Sequence, residues 1–441
     1  MIPNITLFDL SVGLIYLFII YFFAIKLKRK MIKNQNSYQL FLLALTLKII
    51  GGISFAIISV FYYQQGDTFL YFQLTESINN HLLVDFKEAI DTLFTSYSNL
   101  QSCSFNPIEP YNYYYARPTT WNFSRFLLVF NVLGFGSYWL TTIIISVFSF
   151  VCLWLAYLSF TKLYPNLYKM FFIPFFLIPT ALIWSSGILK DTVIVSVVCI
   201  LIYSISNLLI FKKRIFISVF FIIFSIAILA SLRIHLLYFL IPSFLIWVLN
   251  YCFSNIKPFT KRIILKGSII IGVLGLFIII INFSNGYLAK YKAENLTQTI
   301  QEFQSYHTMY ADEKGQSIYS LGKMDYSIVG LLKSGLPALN VTFIRPYLWE
   351  TKNIPTLIAA IENILLLLLM LVICFKYRKN ILEVLLTNKE ITFLLFFAIT
   401  YGYTVGLTSY NFGALSRYKI LSVLFLSICI ILFINRKELK E

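Results

Sequence analysis

The sequence predicts an all-α membrane protein of about eleven transmembrane helices. Of its 441 residues, 59% are hydrophobic and only 12% are charged, whereas a soluble domain has about 25% charged residues. The apolar residues also fall in blocks of about 18 to 25, long enough to cross a hydrocarbon core of about 30 Å. Because lipid offers no partner to open backbone groups, we expect each block to be a helix.

The predicted spans follow one another along the chain. They are 5–26, 39–62, 138–160, 170–188, 192–211, 215–232, 235–252, 264–283, 354–375, 391–408 and 419–434. The connections assigned to one side hold 21 Lys and Arg against 4 Asp and Glu, and those of the other side hold 14 basic and 15 acidic residues. By the positive-inside rule, we expect the N-terminus outside and the C-terminus in the cytoplasm.

The formal net charge of +17 follows from this asymmetry between the two sides. The basic side suits anionic lipid headgroups, so we expect membrane lipids and no nucleic acid as partners. Cys103 is the only cysteine in a predicted outer loop, which excludes a disulfide within the chain on that side. The short loops favour a bacterial inner membrane, with the functional face toward the periplasm.

The first of two larger outer loops spans 63–137. Its segment Thr75–Thr95 has apolar residues at helical spacing with charges opposite, which indicates a helix lying in the membrane interface. A tyrosine-rich stretch, 111–115, then leads to a short apolar segment at Phe126–Leu133.

The second outer loop spans 284–353 and ends shortly after Arg345. The sequence shows no soluble domain, coiled coil, repeat or low-complexity linker. We therefore interpret the chain, 1–441, as a single transmembrane helical domain with extensions on its outer face.

Acidic and basic side chains at membrane depth are costly, so each one needs a reason. Asp67 follows the second span and a glycine, where it suits a general base toward an acceptor hydroxyl or amine, or a helix cap. Lys190 and Asp191 lie in a tight turn between spans, and Asp191 also fits a cap. Lys48 lies deep in the second span, where it suits an acid partner, a lipid phosphate or a path to the surface.

Further cations lie at the predicted outer ends of other spans. Arg233 and His235 occupy a second tight turn, where an arginine suits either a bidentate phosphate contact or an interface anchor. Two arginine–tyrosine pairs precede later spans and fit interface anchors equally well: Arg345 with Tyr347, and Arg417 with Tyr418. Together these residues place two acids and several cations at one membrane level, which suits a lipid that carries phosphate and sugar.

This order of features resembles the GT-C superfamily of membrane glycosyltransferases, in particular its protein O-mannosyltransferase and lipid A aminoarabinose transferase branch. In that family an acid follows a span into the first outer loop, as in Gly66-Asp67, and a second acid follows a hairpin, as in Leu189-Lys190-Asp191. A basic residue and a Leu-Pro-like run follow, as within Ala230–Pro242, and Arg417-Tyr418 precedes the last span. The resemblance covers most of the chain from about Leu40, although Asp67 is a lone acid.

The resemblance implies an enzyme with a cavity on the extracytoplasmic face and a polyprenyl-phosphate sugar as donor. Asp67 would be the catalytic base, and Asp191 would support the acceptor or the loop geometry. The substrate-binding set would be Lys190, Arg233, His235, Arg345, Tyr347, Arg417 and Tyr418, with the arginines on the leaving phosphate. No metal ligand is predicted, and a divalent cation stays open as the cofactor.

Three other functions stay open. An O-antigen polymerase or ligase acts on undecaprenyl-diphosphate glycans through outer-face arginines, so Arg345 would be essential there and Asp67 dispensable. A transporter or flippase has interrupted spans in matching positions, and the sequence shows no such pair of Gly- or Pro-interrupted spans. A non-catalytic scaffold subunit of the cell envelope would keep the fold without the chemistry.

Overall fold

A computed structural model describes residues 3–33, 35–108, 117–253, 318–322, 324–376 and 388–436, with single residues and short runs between 261 and 305 and between 378 and 384. This described part is built of helices and contains no β-strand. It divides into two compact units, Met1–Ile234 and His235–Glu441. The tyrosine-rich stretch 111–115 and most of the predicted span 264–283 lie outside the described residues.

Within the described residues, seven helices are long and apolar enough to cross a membrane, or eight if one bent pair counts as a span. The seven are Leu7–Met31, Asn36–Tyr63, Tyr138–Leu163, Lys190–Phe211, Ile215–Cys252, Ile354–Lys376 and Lys389–Thr408. The bent pair is Phe412–Tyr418 with Ile420–Ile434, at an angle of 55°. The chain is therefore an all-α integral membrane protein, while the total of eleven spans and their orientation stay predictions.

The first unit contains the helices α1 (Leu7–Met31), α2 (Phe41–Ile57), α3 (Asp67–Val84), α4 (Phe86–Phe94), α5 (Pro118–Leu133), α6 (Tyr138–Leu163), α7 (Tyr168–Phe176), α8 (Pro179–Trp184), α9 (Lys190–Ser206) and α10 (Ile215–Arg233). Helix α6 packs against α1, α2, α5 and α9, and α9 also packs against α10. Buried residues make up 78% of the most apolar stretch of Lys190–Phe211 but 11% of that of α1. Thus α9 lies at the centre of the unit, and α1 presents an apolar surface to lipid.

The segment predicted as the span 170–188 is two short helices. Helices α7 and α8 have nine and six residues, and each alone is too short to cross a membrane. Proline explains the break, because the ring of Pro179 removes the N–H that would continue α7. Pro179 is the first residue of α8. Its missing N–H costs nothing there, because the backbone N–H at the first position of a helix has no hydrogen-bond acceptor within the helix.

The predicted spans 215–232 and 235–252 belong to one helical run of 38 residues, Ile215–Cys252. In this run α10 is followed by a 3₁₀ turn, Ile234–Leu236, and then by α11, Leu237–Cys252. The run is about twice as long as one crossing requires. The boundary between the two units falls within its 3₁₀ turn.

The second unit continues from α11 with α12 (Ile328–Lys333), α13 (Gly335–Phe343), α14 (Ile354–Lys376), α15 (Lys389–Thr408), α16 (Phe412–Tyr418) and α17 (Ile420–Ile434). Helix α15 packs against α11, α13 and α17. The Thr342 hydroxyl of α13 donates a hydrogen bond of 2.6 Å to the Gly402 carbonyl of α15. Glycines at the contact let the two backbones approach this closely.

The segment predicted as the first outer loop is helical, but the single helix predicted over Thr75–Thr95 is divided between two helices. The predicted interface segment Thr75–Thr95 comprises the second half of α3 and all of α4, which meet at Asp85. The Asp85 carboxylate caps α4 by accepting from the Glu88 backbone N–H at 2.9 Å, as N-cap acids commonly do. The apolar segment predicted at Phe126–Leu133 is the second half of α5, which begins at Pro118.

Candidate functional site

The candidate site of the first unit lies where several of its helices begin or end. Asp67 is the first residue of α3 and follows Gly66, whose φ of 138° is a conformation that favours glycine. Lys190 and Asp191 open α9, and Arg233 is the last residue of α10. The short turn after α8 and the glycine before α3 therefore set the positions of both predicted acids.

Asp191 and Arg233 form an ion pair in which Nη2 of the arginine lies 2.9 Å from Oδ1 of the aspartate. The Arg233 side chain is 13% exposed and the Asp191 side chain 3%, so solvent ions screen the pair little. Leu189 occupies the N-cap position of α9. Asp191 therefore joins the start of α9 to the end of α10 and does not act as the N-cap.

The ammonium group of Lys190 lies against α5 and α3. Its Nζ donates to the hydroxyls of Thr119 and Thr120, at 3.1 Å and 3.0 Å. The same atom lies 4.9 Å from the centre of the Tyr71 ring, within the range of a cation–π contact. These contacts hold the amine in place on the side of α9 that faces α3 and α5.

Four other charged groups act on the Lys190 ammonium, two of each sign: Asp67, Asp191, Arg117 and Arg233. We call these five residues the charged cluster. The cluster brings together four residues that the sequence singles out, Asp67, Lys190, Asp191 and Arg233, and adds Arg117. Cations beside carboxylates at the ends of apolar helices suit an anionic group that is attached to a lipid.

The two acids of the cluster differ in environment. Asp67 is exposed, whereas Asp191 is buried in its pair with Arg233. Only an accessible carboxylate can take a proton from an incoming substrate. The geometry therefore suits Asp67 for acid–base chemistry and Asp191 for holding Arg233.

Sequence reasoning missed Arg117, Tyr71, Thr119 and Thr120 as neighbours of Lys190. One signal was present, because Tyr71 follows Asp67 by four residues and so lies on the same face of a helix. The partners from α5 had no such signal. Their approach to Lys190 depends on packing between α3 and α5.

In the second unit, Arg345 forms an ion pair with Glu350. Its Nε lies 3.0 Å from both carboxylate oxygens, and its Nη2 also donates to Oε1. Burial alone would raise the pKa of the Glu350 carboxyl, but the hydrogen bonds from Arg345 and the Tyr347 backbone N–H, with the Arg345 charge, hold the pKa below its usual value of 4.5. The sequence pattern contains both partners, five residues apart, although we predicted only the arginine as a site residue.

Three aromatic rings surround the Arg345 guanidinium at 5.5 to 5.8 Å: Tyr319, Tyr347 and Phe412. Its Nη1 also donates to the Ser320 carbonyl at 3.3 Å. A phosphate would have to compete with Glu350 for this guanidinium. The contacts therefore favour a structural anchor over the predicted phosphate contact.

A buried lysine, Lys419, supports the same region and was not predicted as a site residue. Its Nζ donates to the Thr342 carbonyl at 2.9 Å and to Oδ1 of Asn363 at 2.8 Å. The Asn363 amide in turn donates to the Arg345 carbonyl at 2.7 Å. This chain of hydrogen bonds fixes the backbone of Arg345 between α13 and α14.

The other predicted residues of the second unit have simpler surroundings. Arg417 and Tyr418 end α16, are half-buried, and lie with the guanidinium 6.0 Å from the centre of the ring. Tyr347 exchanges hydrogen bonds with the side chain of Asn340. His235 is half-buried in the 3₁₀ turn before α11. That these residues join the charged cluster in one site stays a prediction.

Lys48, for which the sequence left open an acid partner, a lipid phosphate or a path to the surface, is fully buried in α2. Its Nζ donates to the carbonyl and to the hydroxyl of Ser185, at 2.6 Å and 2.9 Å. Among the described residues, the ion pairs found do not include Lys48. Its partner is therefore the backbone after α8 in place of an acid or a lipid phosphate.

The described residues contain no group of three or more His, Cys, Asp or Glu side chains that could hold a metal ion. The charged cluster has two carboxylates and three cations, a donor set that does not fit a divalent cation. Comparisons with family models, characterised proteins and solved structures find no match to this chain. The likeness to the GT-C superfamily therefore stays a resemblance between short motifs.

Proposed function

We propose that the protein is a membrane glycosyltransferase that moves a sugar from a polyprenyl-phosphate donor to an acceptor on the extracytoplasmic face of a bacterial inner membrane. The charged cluster is the observation that supports this proposal. It combines an exposed carboxylate, Asp67, with Lys190 and the Arg233–Asp191 pair at the ends of apolar helices. A lipid-linked phosphate needs cations at that place, and a glycosyl acceptor needs a base.

In the proposed reaction, Asp67 accepts a proton from an acceptor hydroxyl or amine as that group attacks the anomeric carbon of the sugar. The bond from this carbon to the phosphate oxygen breaks, and polyprenyl phosphate leaves. Lys190, Arg233 and Arg117 balance the charge that develops on the leaving oxygen. Asp191 holds Arg233 in position through their ion pair.

The contacts of Arg345 weigh against an O-antigen polymerase or ligase. That function requires outer-face arginines that are available to a diphosphate. Arg345 is instead bound by Glu350 and surrounded by three aromatic rings. Asp67, the exposed carboxylate of the charged cluster, would be dispensable in such an enzyme.

A transporter or flippase is the second candidate, because the structure contains interrupted helices that the sequence did not indicate. Both units have a pair of short helices next to longer ones: α7 with α8, and α12 with α13. The described chain also has one span bent by 55°. Interrupted helices are typical of transport sites, and this candidate predicts movement of the lipid without chemical change.

The test is transfer of radiolabelled sugar from a pool of polyprenyl-phosphate donors by the protein in membranes. Asp67→Asn removes the proposed base with almost no change in volume, and we expect transfer to fall about 100-fold or more. The matched control is Asp91→Asn, an exposed acid on α4 in the same loop. It should transfer at the wild-type rate, and all three proteins must give equal folded yield on size exclusion in detergent.

Equal transfer by wild type and Asp67→Asn would remove Asp67 as the base and contradict the proposed mechanism. Absence of transfer from every donor by folded wild type would contradict the proposed function. In that case, flipping of fluorescent polyprenyl phosphate across proteoliposome membranes tests the second candidate directly.

A further inference from the structure

Lys48 lies inside the candidate span Asn36–Tyr63 and has no access to solvent. A buried ammonium group at membrane depth is costly and needs a reason. Its hydrogen bonds go to the Ser185 carbonyl and hydroxyl, at the C-terminal end of α8. Helix C-termini carry partial negative charge, so this position stabilises the cation.

Ser185 begins a turn, Ser185–Leu189, that leads directly into Lys190 and Asp191. Two serines of α6 bind the same turn. The Ser149 hydroxyl donates to the Ser185 carbonyl at 2.8 Å, and the Ser146 hydroxyl donates to the Ser186 carbonyl at 2.7 Å. Three side chains from two helices therefore satisfy carbonyl groups that would otherwise be unpaired in an apolar interior.

Glycines bring α2 and the turn into direct contact. A Cβ atom on Gly187 would lie 1.8 Å from Cδ1 of Phe55, and one on Gly52 would lie 3.1 Å from the Ser186 carbonyl oxygen. The turn is tied to α9 as well, because the Thr192 hydroxyl donates to the Gly187 carbonyl at 2.7 Å. A displacement of the turn would therefore move the start of α9.

We propose that Lys48 is a positioning residue for the charged cluster, holding the Ser185–Leu189 turn so that Lys190 and Asp191 reach their partners. The inference concerns the geometry of the turn, and only its consequence for sugar transfer rests on the proposed function. The hydrogen bonds of Lys48 go to Ser185, which is outside the cluster. Lys48 acts through the backbone between Ser185 and Lys190.

The test measures the position of residue 190 without any substrate. In a background where the exposed or half-exposed thiols Cys103, Cys252 and Cys374 are serine, Lys190→Cys is modified with a charged methanethiosulfonate reagent. Adding Lys48→Met removes both hydrogen bonds to Ser185 at similar volume. We expect the thiol to react roughly tenfold faster, because loss of hydrogen bonds to a charged group frees the turn.

Two further variants keep this test decisive. Lys419→Met removes a buried lysine of the second unit, whose hydrogen bonds go to Thr342 and Asn363, and it should leave the modification rate within about twofold. Ser149→Ala removes one donor to the Ser185 carbonyl with little change in volume, and it carries the test if Lys48→Met does not fold. We expect it to raise the rate by roughly threefold.

An unchanged rate in folded Lys48→Met and in Ser149→Ala would overturn the proposal. So would an equal increase in Lys419→Met, because that result would indicate general loosening of the protein. If the rate rises as expected but wild type transfers no sugar, the positioning role of Lys48 stands and the proposed function fails.

Discussion

The Arg233 guanidinium and the Asp191 carboxylate lie 2.9 Å apart at the junction of α10 and α9. Helix α10 has 19 residues, and much of its apolar surface is exposed. The ion pair therefore helps to hold the end of this helix in place. The position of Arg233 in the charged cluster thus depends on Asp191, an acid of another helix. Removing either side chain should therefore change the position of the other.

Asp191→Ala leaves the Arg233 charge partly buried without its partner. Breaking a buried ion pair in this way costs about 3 kcal/mol, and we expect a loss of that size in the free energy of unfolding. The double variant Asp191→Ala with Arg233→Ala should lose less than the sum of the single variants, since each removes the same interaction. Unfolding in mixed micelles of mild detergent and dodecyl sulfate measures all three.

The control for this cycle is Asp91→Ala, which changes an exposed acid on α4 and should stay within about 0.5 kcal/mol of wild type. Strict additivity of the two single variants would show that the pair contributes no coupling energy. The ion pair indicated by the 2.9 Å distance between Arg233 and Asp191 would then not contribute to stability.

Hydropathy predicted the membrane class and the positions of most long helices, because the length of an apolar block determines whether it crosses lipid. Hydropathy did not reveal the break within 170–188, because the two prolines in this apolar block do not lower its mean hydropathy enough to divide it. Pro179 nevertheless begins a separate helix, α8. Hydropathy also separated 215–232 from 235–252, and α10 does end at Arg233 before a 3₁₀ turn and α11, although all three lie in one apolar run of 38 residues.

The charged part of the site was more predictable than its geometry. Asp67, Lys190, Asp191 and Arg233 stand out in the sequence because charges are rare in apolar surroundings. Glu350 was harder to assign, because an acid in a polar loop is ordinary by composition. That it binds Arg345 depends on a local turn which places the Tyr347 N–H and the arginine on one carboxylate.

The Glu350 carboxylate should make stability depend on acid pH. Its pKa in the folded protein lies below the ordinary 4.5, because the hydrogen bonds and charge of Arg345 outweigh the effect of burial. The stabilisation is thus fully present above the pKa of the unfolded chain and is lost as the pH falls through the folded pKa. Solvent screening limits it to about 1 kcal/mol, measurable as a fall in Tm as the pH drops below the ordinary carboxyl pKa of 4.5.

Glu350→Gln should lower Tm at neutral pH and reduce the difference between neutral and acid pH. Asp91→Asn, which changes an exposed acid, should keep the pH profile of wild type. If Glu350→Gln and wild type have parallel profiles, the Arg345 pair does not contribute to the pH dependence.

The contact between α13 and α15 should not tolerate a side chain at Gly406. A Cβ there would lie 2.0 Å from the Ala338 carbonyl oxygen and 2.6 Å from Oγ1 of Thr342. We expect Gly406→Ala to destabilise the protein by about 2 kcal/mol, as overpacking commonly does. Gly335→Ala is the matched control, because nothing lies within 4 Å of a Cβ at that position of α13. Equal stability of the two variants would contradict the close approach of the helices.

Helix α4 should lie in the membrane interface through its aromatic residues. Phe86 and Phe94 are 68% and 84% exposed, and large apolar groups of this kind on a helix between two spans are stabilised by insertion among lipid headgroups. A spin label attached to Phe94→Cys in nanodiscs, in the cysteine background described above, should collide often with oxygen and seldom with a water-soluble nickel chelate. The label on Ser98→Cys, an exposed residue in the polar turn that follows, should show the reverse. If both labels are equally accessible to nickel, α4 projects into water and its exposed phenylalanines require another partner.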